Sequence, residues 1–142
     1  MKTNRLFILG LAMIFGLAFQ ACEDDNEPAI MNPTISGLTC PSAVFSTNAV
    51  RGTAYTGTFT VPYTGGNGMA YTTGTGISST GTTGLTATLN SGSLMSGGGN
   101  LTYAVTGTPS TADTVRNASF LINFGGQTCS VTMPISPANS GQ

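Results

Sequence analysis

The chain contains no histidine and no tryptophan, and only 6% of its 142 residues are charged. Without His, a Ser/His/Asp triad cannot be assembled. Of the five acids, Glu23, Asp24, Asp25 and Glu27 crowd into one short stretch and Asp113 stands alone. The pair of facing carboxylates that glycoside hydrolysis needs is therefore missing. Zinc calls for His or several Cys and calcium for clustered carboxylates, so no metal and no other cofactor is expected. From Thr34 onward the chain offers one carboxylate, two Arg, four Tyr and two Cys, too little for tuned acid–base work. The expectation is a protein that is not an enzyme and has no catalytic residues. Basic residues are equally scarce: Lys2, Arg5, Arg51 and Arg116 are all there are, which leaves no footprint for nucleic acid. Glu and Lys are too few for a helical bundle, and 39% apolar content at a formal charge of −1 does not suit a disordered chain.

Long apolar runs are also absent, with one exception at the start. Lys2 and Arg5 precede an apolar run from Leu6 to Phe19, fourteen residues, the length of a signal-peptide core and short of the ~20 a spanning helix needs. Ordinary signal peptidase wants small residues at −1 and −3, and a cut after Ala21 would put Phe19 at −3. Phe19-Gln20-Ala21-Cys22 instead resembles the lipobox of bacterial lipoproteins, with Ala before the Cys as in that family, while Phe at −3 and Gln at −2 depart from its usual Leu-Ala/Ser pattern. The resemblance implies cleavage before Cys22, lipidation of its thiol and an anchor in the membrane. Several acyl chains at about 0.8 kcal/mol per buried methylene hold such an anchor permanently. The other reading is that Cys22 follows an odd cleavage site or enters a disulfide. The run Glu23-Asp24-Asp25-Asn26-Glu27 resembles the acidic export signal of Bacteroidota lipoproteins, which implies transfer to the outer face of the outer membrane. Its plain alternative is a solvated acidic spacer.

What the sequence holds in abundance is Gly, Thr and Ser, 20, 24 and 13 residues respectively. From Thr34 on, apolar residues and threonines alternate with period two, the pattern of half-buried strands. Tyr55, Gly57, Phe59, Val61 and Tyr63 share one face against Thr56, Thr58 and Thr60. Leu85/Ala87/Leu89, Leu101/Tyr103/Val105, Phe120/Ile122/Phe124 and Cys129/Val131/Met133/Ile135 repeat the arrangement. Gly65-Gly66-Asn67-Gly68, Gly97-Gly98-Gly99-Asn100 and Gly125-Gly126 read as turns, the last as a tight hairpin. Strands are expected over Thr34–Cys40, Ala43–Ser46, Tyr55–Tyr63, Met69–Ile77, Leu85–Leu94, Asn100–Gly107, Ala118–Phe124 and Gln127–Ile135. Seven or eight antiparallel strands in this length indicate an all-β, immunoglobulin-like sandwich, with a small β-barrel as the alternative. The expected organisation is a helical signal peptide over 1–21, a lipidated Cys and acidic linker over 22–33, the sandwich over 34–136 and a tail over 137–142.

Cys40 and Cys129 both point inward in this register, and an exported compartment permits oxidation. They are expected to form a disulfide closing a loop of about 90 residues; the alternative is two buried thiols.

Tyr55 to Gly68, Ser79 to Leu89, Gly97 to Thr108 and Gly125 to Cys129 resemble, in order, a Gly/Thr-rich module repeated in large Bacteroidota surface and secreted proteins. That resemblance implies a structural or adhesin-like part without catalytic residues, present here once. Asp113-Thr114-Val115 is similar to the O-glycosylation sequon of that phylum, which implies Thr114 in a polar loop as the acceptor. The leading functional expectation is thus a non-catalytic outer-membrane lipoprotein, anchored by lipid and facing the cell exterior, that serves as an interaction, adhesion or accessory module toward a protein or glycan partner. A glycan-binding module is the alternative. It would need exposed aromatics, and Tyr71 is the candidate because Tyr55, Tyr63 and Tyr103 share parity with core residues. Recognition of ice or another flat surface by Thr ladders is a third reading, opposed by sheet twist.

Overall fold

Alternation becomes two packed sheets in the computed structural model, which describes residues 31–138. The expected signal stretch, Cys22, Glu23 to Glu27 and the end of the tail lie outside the described residues. The strands are β1 (Gly37–Leu38), β2 (Val44–Phe45), β3 (Ala49–Val50), β4 (Tyr55–Gly66), β5 (Ala70–Tyr71), β6 (Ile77–Ser78), β7 (Thr80–Gly81), β8 (Leu85–Leu89), β9 (Gly92–Ser93), β10 (Gly97–Gly107), β11 (Asn117–Phe124) and β12 (Gln127–Ser136). A 3-10 turn, Cys40–Ser42, separates β1 from β2.

One sheet runs β1-β4-β10-β8-β6 with β2 also on β4, the other runs β3-β12-β11-β7, and β5-β9 form a small ribbon. With β4, β10 and β8 as strands B, E and D and β7, β11 and β12 as C, F and G, the order is that of an immunoglobulin sandwich. The protein is an all-β, immunoglobulin-like sandwich. Among the described residues no ladder joins the two sheets, which are those of a sandwich and not of a closed barrel.

Four sequence expectations need correction. Among the described residues the strands number twelve rather than seven or eight, because several stretches are broken into two-residue pairings. Not every pairing is antiparallel: β3 lies parallel to β12, with Ile135 opposite Ala49. Met69–Ile77 is no continuous strand. Only Ala70–Tyr71 and Ile77–Ser78 pair, with different partners, across a stretch weakened by Gly74 and Gly76. Gly97-Gly98-Gly99 is not a turn but the start of β10, opposite Gly66 and Tyr63 through a register shift. Glycine is needed there, since a Cβ on Gly99 would stand 2.5 Å from the Tyr63 hydroxyl oxygen. Gly125 and Gly126 do form the expected hairpin turn, with φ of 58° and 86°, values that suit a type I′ turn between right-twisted strands.

The core sits between the sheets. Phe59 from β4, Tyr103 from β10 and Phe120 from β11 are all buried. Phe59 stacks on Tyr103 at 5.0 Å and meets Phe120 across the sandwich at 5.7 Å. Cys40 and Cys129 form the expected disulfide, with Cα atoms 6.0 Å apart. It pins the 3-10 turn to β12, away from the B–F position that the bridge of antibody domains occupies; here the Phe59–Phe120 pair spans β4 and β11.

Burial, with the neighbouring Tyr71 adding to it, pushes the Tyr103 hydroxyl up to about 12. In the unfolded chain the same group ionises near ~10. Over that interval the unfolded state sheds a proton that the folded state keeps. Stability is therefore full below pH ~10 and falls by about 1.4 kcal/mol per pH unit above it, until the folded group ionises in turn. Tyr103→Phe is expected to flatten this alkaline limb in urea melts, and an unchanged slope would assign it elsewhere.

Candidate functional site

The ladder registers give the sandwich two distinct ends. The chain enters where Ile35 N–H donates to the Gly125 carbonyl at 3.2 Å and Ser36 N–H to the Thr64 carbonyl at 2.8 Å. The Gly65–Tyr71 and Ser91–Gly98 segments and the Gly125-Gly126 turn share this entry end. Gly107, Tyr55 and Leu85 lie together at the other. Three charged side chains exist in residues 31–138, Arg51, Asp113 and Arg116, and all three belong to the far end. Uncharged Met31 and Met95, each 66% exposed, mark the entry end.

At the far end the loop from Thr108 to Arg116 is held as an arch. Thr82, fully buried in the short connection after β7, donates its hydroxyl to the Val115 carbonyl at 2.5 Å and its N–H to the Asn117 carbonyl at 2.8 Å. Arg51 follows β3 and extends its guanidinium under the arch. Its Nη2 donates to the carbonyl oxygen of Asp113 and, at 2.6 Å, to that of Val115, the two residues on either side of Thr114. The Asp113 carboxylate turns back to accept the Thr83 N–H at 2.8 Å and the Thr83 hydroxyl at 2.9 Å. Buried Pro109 anchors the start of the loop, its carbonyl accepting the Gly52 N–H at 2.9 Å. Thr114 is left exposed at the crest, beside Val115 at 49% exposure.

The Thr83 backbone N–H, then its hydroxyl, hold the Asp113 carboxyl below the ordinary carboxylate range. A depressed folded value contributes stability that is present above the unfolded value and lost as pH falls through the folded one. Because this carboxylate is solvent-exposed, the expected effect is local: the Thr83 amide resonance should titrate with a midpoint below that of free Asp, and lose the transition in Asp113→Asn. A midpoint at the ordinary Asp value would contradict the staple.

The remaining sequence candidates fall elsewhere. Tyr55, Tyr63 and Tyr103 are core residues, at 6%, 3% and 2% exposure. Tyr71 is half-buried, with its ring edge-on to Phe124 at 5.2 Å, and burial followed by nearby Tyr63 raises its hydroxyl pKa. Among the described residues no two tyrosines therefore share a solvent-facing surface for stacking a sugar. The threonines do form cross-strand rows on the outer face: Thr56–Thr106–Thr86 and Thr60–Thr102 lie opposite one another. Among the described residues no group of three or more His, Cys, Asp or Glu could hold a metal. Sequence reasoning placed Thr114 in a loop but missed Arg51, Thr82 and Thr83, which shape it. No sequence signal marked them: Arg51 is one of two cations in the body of the chain, and the other, Arg116, is exposed, so scarcity alone does not single out a buried role.

No protein-family model, curated protein or solved structure matches this chain.

Proposed function

We propose that this protein is a non-catalytic outer-membrane lipoprotein, anchored through Cys22 and facing the cell exterior, whose sandwich presents its far-end loops as an interaction or adhesion module. The observation that carries this reading is the opposition of the two ends. The chain enters at an uncharged end, while the charged side chains and the Thr114 arch crown the other. Eight residues lie between Cys22 and Met31, a reach of at most about 30 Å, and the twelve-residue β4 adds about 40 Å between the ends. An anchor at Cys22 thus lets the arch stand well clear of a bilayer. Loops on a rigid sandwich are where recognition residues collect. Thr114 at the crest is the accessible acceptor if the sequon is used.

Protease treatment of intact cells tests the orientation: the protein should be cleaved without lysis, and Cys22→Ser should appear in the soluble fraction with no acylated N-terminal peptide by mass spectrometry. A chain shielded until the envelope is broken would overturn the outward orientation. An unacylated wild-type N-terminus would overturn the anchor.

A further inference from the structure

The entry end is built from segments that hydrogen bonds tie together. Asn67 N–H donates to the Thr34 carbonyl at 3.2 Å and its side-chain Nδ2 to the Asn32 carbonyl at 2.9 Å, which clasps the first described residues against the end of β4. Two residues on, the Met69 carbonyl accepts the Leu94 N–H at 2.9 Å, and the Met95 N–H donates to the Tyr63 hydroxyl at 2.8 Å. Met31 and Met95 therefore stand at one end of the sandwich, each 66% exposed. Their surroundings are small: Gly65, Gly68, Ser96 and Gly126 are exposed beside them. No charged residue lies in 31–34, 65–71, 91–98 or 125–126. The other large exposed apolar side chains stand elsewhere, Val44 and Leu121 on the strands of the flanks and Val115 among the charges of the arch. Methionine is an unbranched, adaptable apolar chain, and apolar exposure rimmed by uncharged residues marks a contact surface.

We infer that this end seats on the surface of the bilayer that holds the chain, with Met31 and Met95 entering the boundary between headgroups and acyl chains. The inference rests on the Cys22 anchor proposed above and adds to it a direct contact between the folded domain and lipid. Three observations select a lipid surface as the occupant. The chain runs toward Cys22 from this end, and with eight residues between Cys22 and Met31 the end stays within about 30 Å of the anchor. An uncharged end gives up no ion hydration on meeting headgroups, whereas Arg51, Asp113 and Arg116 all lie at the opposite end. The exposed side chains here are apolar, as entry into the acyl boundary requires. Two methionines are too few to hold a free domain on a membrane, since even a single myristoyl chain binds marginally. The tether makes up the difference by keeping lipid at a high effective concentration. Seated in this way, the sandwich stands upright and the arch is held at the length of β4, about 40 Å from the surface, instead of swinging on the slack of the linker.

The test uses the acylated full chain on phosphatidylcholine vesicles, because Glu23, Asp24, Asp25 and Glu27 would be repelled from an anionic surface. With Cys22 acylated and Cys40 bridged to Cys129, Ser96→Cys introduces a single free thiol for an environment-sensitive fluorophore at the entry end. Val115→Cys does the same at the arch. The label at position 96 is expected to shift to the blue and to be shielded from aqueous iodide about threefold or more relative to the label at position 115. Met31→Asp combined with Met95→Asp, both at exposed positions, should return the first label to the value of the second while the chain still floats with the vesicles. A label at position 96 as open to iodide as the one at position 115, on a chain that floats, overturns the seat and leaves the anchor standing. Shielding that survives both Asp substitutions, or that rises with protein density on the vesicle, overturns it in favour of a second copy. A chain that does not float with the vesicles overturns the anchor, and the seat with it.

Discussion

Replacing Cys40 and Cys129 together by alanine is expected to lower the unfolding free energy by about 4–5 kcal/mol, the largest single effect this fold offers. The bridge spans 89 residues of sequence, nearly the whole domain, so its removal frees the unfolded chain of a constraint close to the longest it could carry. The native state should change little, because β12 keeps its full ladder with β11. A domain of this size is stable by roughly 5–15 kcal/mol, so the variant would lose a third or more of its margin. Its melting temperature would fall by about 20–30 °C. The same loss should follow reduction of the wild type with dithiothreitol, and the reduced wild type and the double variant should coincide. Two free thiols in protein purified under oxidising conditions, or a melting temperature indifferent to reductant, would show that the bridge does not stabilise the fold.

The second large effect is Phe59→Ala, expected to cost about 3–5 kcal/mol in urea unfolding. Phe59 has no exposed surface, and its ring meets Phe45, Tyr103 and Phe120. Truncation removes the apolar area of one ring and leaves a cavity bordered by three others, each held by its own strand and unable to collapse fully. Phe59→Leu, which refills most of the volume, should recover more than half of the loss. Because the disulfide lies toward the entry end and acts on the unfolded chain, the two effects should add to within about 0.5 kcal/mol. An alanine variant within 1 kcal/mol of wild type would mean that the core closes around the gap.

How much of this was legible beforehand depended on strand length. Alternation needs four or five residues to register, so β4, β8, β10, β11 and β12 could be found with their inward faces assigned, and the buried set of Phe59, Val61, Leu101, Phe120, Ile122 and Val131 follows from parity. Ala49–Val50 and Thr80–Gly81 are too short to carry any period. They pair because neighbouring segments deliver them to an edge, which is tertiary information. The same two pairings complete the immunoglobulin order and introduce the one parallel contact, so strand order was hidden along with them. The inward parity of Cys40 and Cys129 was readable, and so was the expected bridge. At the arch, Thr82 and Thr83 looked like any of the other threonines. Their distinct roles come from the loop that descends on them from 30 residues or more further along the chain.

The chain leaves the sandwich at the end opposite the one where it enters. Ser136 accepts a hydrogen bond from the Arg51 N–H at 3.1 Å, while Ile35 sits beside the hairpin turn at the other extreme. A cargo appended after Ser136 would therefore project beyond the charged crown, as far from residue 31 as the domain allows. A fluorescent reporter fused there should leave the Ile35–Gly125 junction undisturbed, and the scaffold could display a foreign epitope at a fixed standoff from whatever holds its first residues.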